Sequence, residues 1–146
     1  MSDDTDVLAP DTLNVGDRVE LTFPARGDLV VLARLVSSAI SARAGFDIED
    51  LEDLRLAVGE LCLLALDGGD APDGQLRLEF TCSAETLDIS CELIGGGSHA
   101  GSSNGTGENQ QLSQQILAAL VDEHGRDESD GVVRAWLRKR RGGPLA

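Results

Sequence analysis

Hydrophobic residues recur with helical periodicity most persistently over residues 51–66, which have the sequence LEDLRLAVGELCLLAL. Steps of three and four residues place these apolar side chains on one face of a helix. Carboxylates over residues 47–53 cap free N–H groups and favour the positive end of the helix dipole, and glycines at 68–69 end the helix. The apolar face comprises Leu51, Leu54, Val58, Leu61, Cys62 and Ala65.

One charged residue, Glu60, interrupts the apolar second half of this predicted helix. On a helix it shares a side with Asp53, Leu56 and Leu64. Two interpretations stay open, because spacing alone does not decide between them. A lone glutamate in a helix usually points to solvent, whereas a carboxylate that faces a pocket is a candidate site residue.

Two periodicities predict the other elements: alternation of apolar and polar residues for strands, and steps of three and four residues for helices. Alternation of apolar and polar residues indicates strands at residues 18–23, 75–81, 87–93 and 131–137. Helical spacing indicates two more helices, at residues 29–44 and 109–121. The polar segment 122–130 is predicted as a turn region. The short link at residues 83–85 predicts an antiparallel hairpin for the second and third strands.

Two amphipathic helices packed on one face of such a sheet predict an α+β domain. We expect a two-layer sandwich, with a mixed but mainly antiparallel sheet and about three helices on one of its faces. The domain covers residues 18–141, between a flexible acidic arm at 1–17 and a tail at 142–146. Its glycine-rich stretch at 95–108 lacks the GK[ST] ending of a phosphate-binding P-loop, which favours a mobile linker.

Charge narrows the range of partners. The sequence has 26 acidic against 12 basic residues, a net charge of −14. This balance argues against nucleic acid as the main partner, because phosphate contacts need basic patches. It is compatible with a basic protein partner. The basic stretch 138–141 is interpreted as a solvated terminus, with contacts to acidic neighbours as the alternative.

The expected compartment follows from the apolar segments and the cysteines. No segment approaches the roughly 20 apolar residues that cross a membrane. The N-terminal residues are acidic and lack the charged-then-apolar pattern of a signal peptide. We therefore expect a cytoplasmic protein with no membrane partner. The cysteines, Cys62, Cys82 and Cys91, lack CxxC spacing, so we expect buried free thiols and no metal site.

The segment Asp53–Glu60, with the sequence DLRLAVGE, resembles the one that opens the nucleotide site in anti-sigma-factor serine kinases of the RsbW and SpoIIAB type. These kinases have the histidine-kinase/Hsp90-like ATPase fold, and the order of the predicted elements over residues 18–141 matches it. In that family the glutamate serves as general base, and an asparagine four residues later helps to hold magnesium. Glu60 matches the glutamate, but the asparagine position holds Leu64, and a leucine cannot ligate a hard cation.

Two further nucleotide-site positions of that family are substituted here. The adenine-binding Asp-x-Gly of the family matches Leu93 and Gly95, so the aspartate is missing. The glycine turn that holds phosphate at the start of the third helix matches Gln111 and Ser113. The glycine-rich stretch lies where the family has its ATP lid. Phosphoryl transfer is mostly positioning and electrostatic stabilisation, so these losses together should abolish it.

The resemblance implies a regulator of bacterial transcription that binds a sigma factor, a STAS-type anti-anti-sigma factor, or both. With these substitutions we expect an anti-sigma-factor-like module, a pseudokinase that needs no ATP or magnesium cofactor. Two alternatives stay open. One is an active or weak ATP-dependent serine/threonine kinase that phosphorylates an anti-anti-sigma factor, and the other is a domain that shares only the fold. Family members are commonly dimers, so the resemblance also allows a homodimer.

Arg34 is the candidate residue for partner binding. It stands where similar anti-sigma factors show a partner-facing arginine. It lies off the apolar stripe predicted for the first helix, so we expect it to project from the domain. The alternative is an ordinary solvated arginine that pairs with a nearby carboxylate. The stripe comprises Leu29, Leu32, Val36 and Ile40.

Overall fold

Five strands and three helices follow one another in the structure, a computed structural model that describes residues 12–67, 69–96 and 106–141, the side chains of 106–109 excepted. In chain order they are β1 (Arg18–Pro24), α1 (Val30–Arg43), α2 (Ile48–Leu66), β2 (Gly74–Cys82), β3 (Thr86–Gly95), α3 (Thr106–Leu120), β4 (Glu123–Ser129) and β5 (Val132–Arg140). All three predicted helices and all four predicted strands are therefore present. None of the described helices is long and apolar enough to cross a membrane.

One five-stranded sheet, with the strand order β1-β2-β3-β5-β4, forms one layer of the described domain. Every neighbouring pair in it is antiparallel. Alternate strand residues are buried on the face that the helices cover, as Leu76, Leu78 and Phe80 are in β2. Helix α2 is central, because it contacts α1, α3, β2, β3 and β5. The predicted α+β fold is confirmed, whereas the expectation of a mixed sheet is wrong for these strands.

The prediction of a turn region at residues 122–130 is wrong, because this segment contains the edge strand β4. The strand pairs with β5 along its whole length. Its sequence, EHGRDES, carries no apolar alternation, and its side chains are half-buried or exposed. An edge strand at the margin of the core needs no hydrophobic pattern, and charged side chains there discourage pairing with other chains.

Helix α1 turns most of its predicted stripe to the core, because Ile40 is buried and Leu29 and Val36 pack against the core. Its buried residues are Val30, Ala33, Ser37, Ile40 and Ser41. Leu32 and Leu35, by contrast, are exposed. Small side chains on the buried face let α1 pack closely on α2. Small side chains therefore lie inside together with the apolar ones where the two helices pack.

The folded domain begins earlier than predicted. The Leu13 N–H donates to the Arg43 carbonyl at 2.9 Å, and the Gly16 N–H donates to the Cys82 carbonyl at 2.7 Å. Leu13 also packs against the core. The prediction of a flexible arm therefore fails for residues 13–17. Outside the described part of the chain lie residues 1–11, most of the predicted loop at 95–108 and the tail at 142–146.

The basic stretch 138–141 is part of the fold rather than a solvated terminus. Arg138 Nε donates to Asp88 Oδ1 at 2.9 Å, as the alternative interpretation allowed. Lys139 Nζ donates to the Leu120 carbonyl at 2.8 Å, at the C-terminal end of α3. Arg141 Nε donates to the carbonyl of Ala44, the residue that follows α1, at 2.9 Å. These contacts attach the last strand to the ends of two helices.

The three cysteines are free and buried, which confirms that prediction. Cys62 belongs to α2 and Cys91 to β3, so the two thiols lie where the central helix packs on the sheet. A hydrogen bond with Cys62, together with burial, raises the pKa of the Cys91 thiol well above its ordinary value. Such thiols behave as small apolar side chains at neutral pH.

Candidate functional site

The C-terminal half of α2 is where candidate site residues from three elements meet. Helix α2 begins after the N-cap Asp47, whose carboxylate accepts the Asp50 N–H at 2.9 Å. It ends at Leu66, and Asp67 then adopts a left-handed backbone with φ 47°, a conformation that aspartate tolerates. The Asp67 side chain contacts both α3 and β4. The site therefore lies between α2, the first half of α3 and β4.

Glu60 is half-buried and turned toward α3. The Ser113 hydroxyl on α3 donates a hydrogen bond to Glu60 Oε1 at 2.9 Å. Ser113 is only 6% exposed, so the serine side of this contact is shielded from water. A hydrogen bond to a charged acceptor in such a place contributes about 1.5 kcal/mol. Of the two interpretations of Glu60, the geometry supports the inward-facing carboxylate.

The remaining predicted site residues are distributed between core and surface. Leu64 and Leu93 are buried in the hydrophobic core. Gln111 is exposed on α3. Gly95 has φ 75°, a left-handed backbone conformation that by itself favours glycine. Among the predicted nucleotide-site residues, only Glu60 and Ser113 are joined by a side-chain hydrogen bond in the described part of the chain.

A second polar contact, which the sequence pattern did not predict, lies beyond the end of α2. The Asp67 carboxylate accepts a hydrogen bond from Gln110 Nε2 of α3. Its other oxygen lies 3.0 Å from Arg126 Nη2 of β4, close enough for an ion pair though not aligned as a hydrogen bond. The Arg126 and Asp67 side chains are 14% and 19% exposed. Solvent therefore screens this ion pair much less than a surface pair.

Arg126 also contacts the last turn of α2. Its Nε donates to the Leu64 carbonyl at 3.4 Å, a long hydrogen bond. A cation at the C-terminus of a helix interacts favourably with the helix dipole. The sequence signal that could have identified this residue is its charge, because it is the one arginine in the acidic segment 122–130. A turn region at residues 122–130, as the sequence predicts, gives no reason to expect that Arg126 contacts α2.

The expectation that Arg34 projects from the domain is wrong. Arg34 is half-buried, and its guanidinium lies against Gly59 of α2. A Cβ atom on residue 59 would lie 2.7 Å from Arg34 Nε, so any larger residue there would displace the arginine. Within the described residues, no hydrogen bond or ion pair joins Arg34 to another side chain or carbonyl.

Exposed apolar side chains lie within one helical turn of Arg34 on α1 and about one turn from Gly59 on α2. Val31 and Leu35 of α1 are 47% and 61% exposed, and Leu56 and Leu63 of α2 are 56% and 45% exposed. The two α2 leucines lie about one turn before and after the glycine that contacts Arg34. We call these four residues and Arg34 the hairpin face. Grouped apolar side chains around an unpaired charge are typical of an interaction surface.

Comparison with known proteins assigns this architecture to a family. The family model described as histidine kinase-like ATPase domain matches residues 23–139, most of the chain. The chain belongs to the histidine kinase-like ATPase family. The α+β architecture described above agrees with that assignment.

Its relatives within this ATPase family include serine-protein kinases RsbW. The Bacillus pumilus protein is 34% identical over 77 residues, 50% of this chain and 48% of that protein. The Halalkalibacterium halodurans protein is 27% identical over 134 residues, 84% of this chain and 83% of that protein. The Listeria monocytogenes serotype 4a protein is 36% identical over 77 residues, 50% of this chain and 48% of that protein. The chain thus matches about half the length of two of them, and the resemblance to the RsbW type is confirmed.

The residues at this ATPase-family site do not supply the ligands that the resemblance implies. Magnesium requires oxygen ligands, and the Leu64 side chain is hydrocarbon buried in the core. At the position that the resemblance gives to the phosphate turn, the Ser113 hydroxyl donates its hydrogen bond to Glu60. No group of three or more histidine, cysteine, aspartate or glutamate side chains with metal-binding geometry occurs among the residues that the structure describes.

Proposed function

We propose that this chain is an anti-sigma-factor-like regulator of bacterial transcription. It acts in the cytoplasm by binding a sigma factor, a STAS-type anti-anti-sigma factor, or both, and it does so without ATP or magnesium. The observation that carries the proposal is the hydrogen bond between Ser113 and Glu60. The residue at the family's general-base position is held by a side chain of its own domain, at a position where the family needs glycine to admit phosphate.

The chemistry of phosphoryl transfer supports this choice. The reaction depends on positioned metal and phosphate ligands rather than on covalent chemistry by the protein. Here the position of the metal ligand is Leu64, and the position of the adenine-binding aspartate is Leu93. Both side chains are buried and apolar. Binding of a protein partner loses nothing by these changes, because it uses surface side chains.

The hairpin face supports the partner-binding role. Six other arginines of this acidic chain form ion pairs with carboxylates, as Arg77 does with Glu92 at 2.9 Å. Arg34 has no such pair among the described residues and is available to a carboxylate of a partner. Arginine is enriched among binding hot spots because its planar guanidinium makes several directed hydrogen bonds. The exposed apolar neighbours would be covered by an apolar surface of the same partner.

Two measurements on the full chain test the proposal. Calorimetry with Mg-ATP should show no tight binding, and low-micromolar 1:1 binding would contradict the nucleotide-free part. The tagged chain should capture a sigma factor or a STAS protein from the native cell, identified by mass spectrometry. Capture should be lost in Arg34→Ala and kept in Arg140→Ala, which removes an exposed arginine of β5. Capture of neither class of protein would contradict the partner-binding part.

The second candidate function is a working serine-protein kinase. The names of the relatives and the glutamate at position 60 favour it. A purified STAS protein incubated with the chain and Mg-ATP should remain unphosphorylated if our proposal holds. Phosphoserine that appears with the wild type and disappears with Glu60→Gln would establish the kinase instead. Glu60→Gln should leave partner binding unchanged, because a glutamine oxygen still accepts the Ser113 hydrogen bond.

A further inference from the structure

Helix α3 is anchored differently in its two halves. The C-terminal half buries Leu117, and its last carbonyl accepts a hydrogen bond from Lys139 at 2.8 Å. Between residues 110 and 115, only Gln110 and Ser113 are shielded from solvent, and both are polar. Apolar burial by these side chains therefore does not hold the N-terminal half of α3 against α2.

Both shielded side chains bridge to carboxylates of α2 and its C-cap. Ser113 Oγ donates to Glu60 Oε1 at 2.9 Å, and Gln110 Nε2 donates to Asp67 Oδ1. The donors are three residues apart on α3 and so share one of its faces. Arg126 of β4 lies 3.0 Å from the other Asp67 oxygen, which fixes the acceptor of the second bridge.

We infer that these two bridges dock α3 on α2 constitutively, so that the affinity of the chain for its partner does not respond to ATP or ADP. The inference rests on the proposed function as a partner-binding regulator. The two bridges hold α3 against α2 without a bound ligand, because they join side chains of α3 to Glu60 of α2 and to its C-cap Asp67. A nucleotide phosphate entering this contact would also face the Glu60 carboxylate, and like charges repel each other.

Hydrogen exchange on the full chain, followed by mass spectrometry of α3 peptides, tests this inference. The N-terminal half of α3 should be protected without nucleotide, and millimolar Mg-ATP or Mg-ADP should leave that protection unchanged. Ser113→Ala and Gln110→Ala should each speed exchange there by about tenfold, the effect of losing a hydrogen bond to a charged acceptor. Exchange in β2 and β3 should not change, which shows that each variant is folded.

Matched variants separate the bridges from general effects on the helix. Gln115→Ala removes an exposed amide from the same helix and should leave exchange unchanged. Glu60→Gln keeps an acceptor for the Ser113 hydroxyl and should keep the protection, whereas Glu60→Ala should lose it. The inference is overturned if Ser113→Ala and Gln110→Ala exchange like Gln115→Ala. It is equally overturned if Mg-ATP adds protection to the wild type.

The outcomes for the Ser113 and Gln110 variants are distinct from a failure of the partner-binding part of the proposed function. Exchange in α3 is measured on the isolated chain, whereas the proposed function fails if no sigma factor or STAS protein is captured. With a captured partner in hand, its affinity should be the same with and without nucleotide. An affinity that rises or falls with Mg-ATP would overturn the inference, together with the nucleotide-free part of the proposed function, while leaving the partner-binding role intact.

Discussion

Arg34 of α1 lies against Gly59 of α2, and the two residues are in steric contact without a hydrogen bond between them. A Cβ atom on residue 59 would lie 2.7 Å from Arg34 Nε and 2.8 Å from its Nη2. Distances this short are below van der Waals contact, so glycine at 59 is a condition for the position of the guanidinium. A substitution at 59 should therefore act on Arg34 without removing its charge.

We expect Gly59→Ala to stabilise the chain by less than helix propensity alone allows. Alanine in place of glycine within a helix contributes up to about 1 kcal/mol, but here the Arg34 side chain must move to admit the methyl group. In the Arg34→Ala background the full gain should appear, so the two substitutions are non-additive in the free energy of unfolding by urea. Equal gains in both backgrounds would show that Arg34 does not occupy this place in solution.

Arg34→Ala should weaken partner binding by at least ~2 kcal/mol, roughly thirtyfold in affinity. The thermal midpoint should barely move, because Arg34 makes no hydrogen bond within the described residues. Gly59→Ala should weaken binding in the same direction, and Arg140→Ala should not. Calorimetry and thermal unfolding on one preparation decide the outcome. An unchanged affinity of Arg34→Ala would show that the partner does not bind at this position of α1. A loss of both affinity and thermal stability would show that Arg34 has a structural role instead.

Arg126→Met should lower the free energy of unfolding by about 2–4 kcal/mol. The mostly buried Asp67 carboxylate loses its cation, and the Leu64 carbonyl loses a donor. Adding Asp67→Asn should recover part of the loss, because the uncompensated charge is gone while an acceptor for Gln110 remains. Urea unfolding of the single and double variants is the measurement. If Arg126→Met lowered the free energy of unfolding by less than ~0.5 kcal/mol, the ion pair of Asp67 with Arg126 would be as weak as a solvent-exposed pair.

Cys91 should make the stability of the chain fall in alkaline solution. Its hydrogen bond with Cys62 and its burial raise its pKa in the folded chain well above the ordinary 9.0, which the unfolded chain retains. The contribution is therefore complete below the unfolded pKa and is lost as pH rises toward the folded pKa. The loss is at most ~1.4 kcal/mol per pH unit.

Urea unfolding from neutral to alkaline pH, with a reducing agent present, measures this slope. Cys91→Ala should decline less steeply than the wild type, although it starts lower because a buried side chain is truncated. Parallel curves would contradict the assignment, because they would mean that the Cys91 thiol ionises as readily in the folded chain as in the unfolded one.

Most of the fold could be predicted from the sequence because most elements bury one face. The apolar residues of β2 and β3 alternate, and those of α2 recur at helical steps, so period alone identifies them. Strand β4 has no such pattern, because it is an edge strand whose side chains are half-buried or exposed. The stripe predicted for helix α1 is right at Val36 and Ile40, but it omits small buried residues such as Ser37, which carry no hydrophobic signal.

The sequence by itself determined the helices and strands that bury one apolar face, and it singled out Glu60 as a charge in an apolar helix. Only the tertiary structure decided what Glu60 contacts, because Ser113 lies 53 residues away and no local spacing reports on such a distance. The same holds for the ion pair of Asp67 with Arg126 and for the contact of Arg34 with Gly59. Periodicity records which side of an element is buried, whereas contacts between elements depend on how closely the packed backbones approach one another.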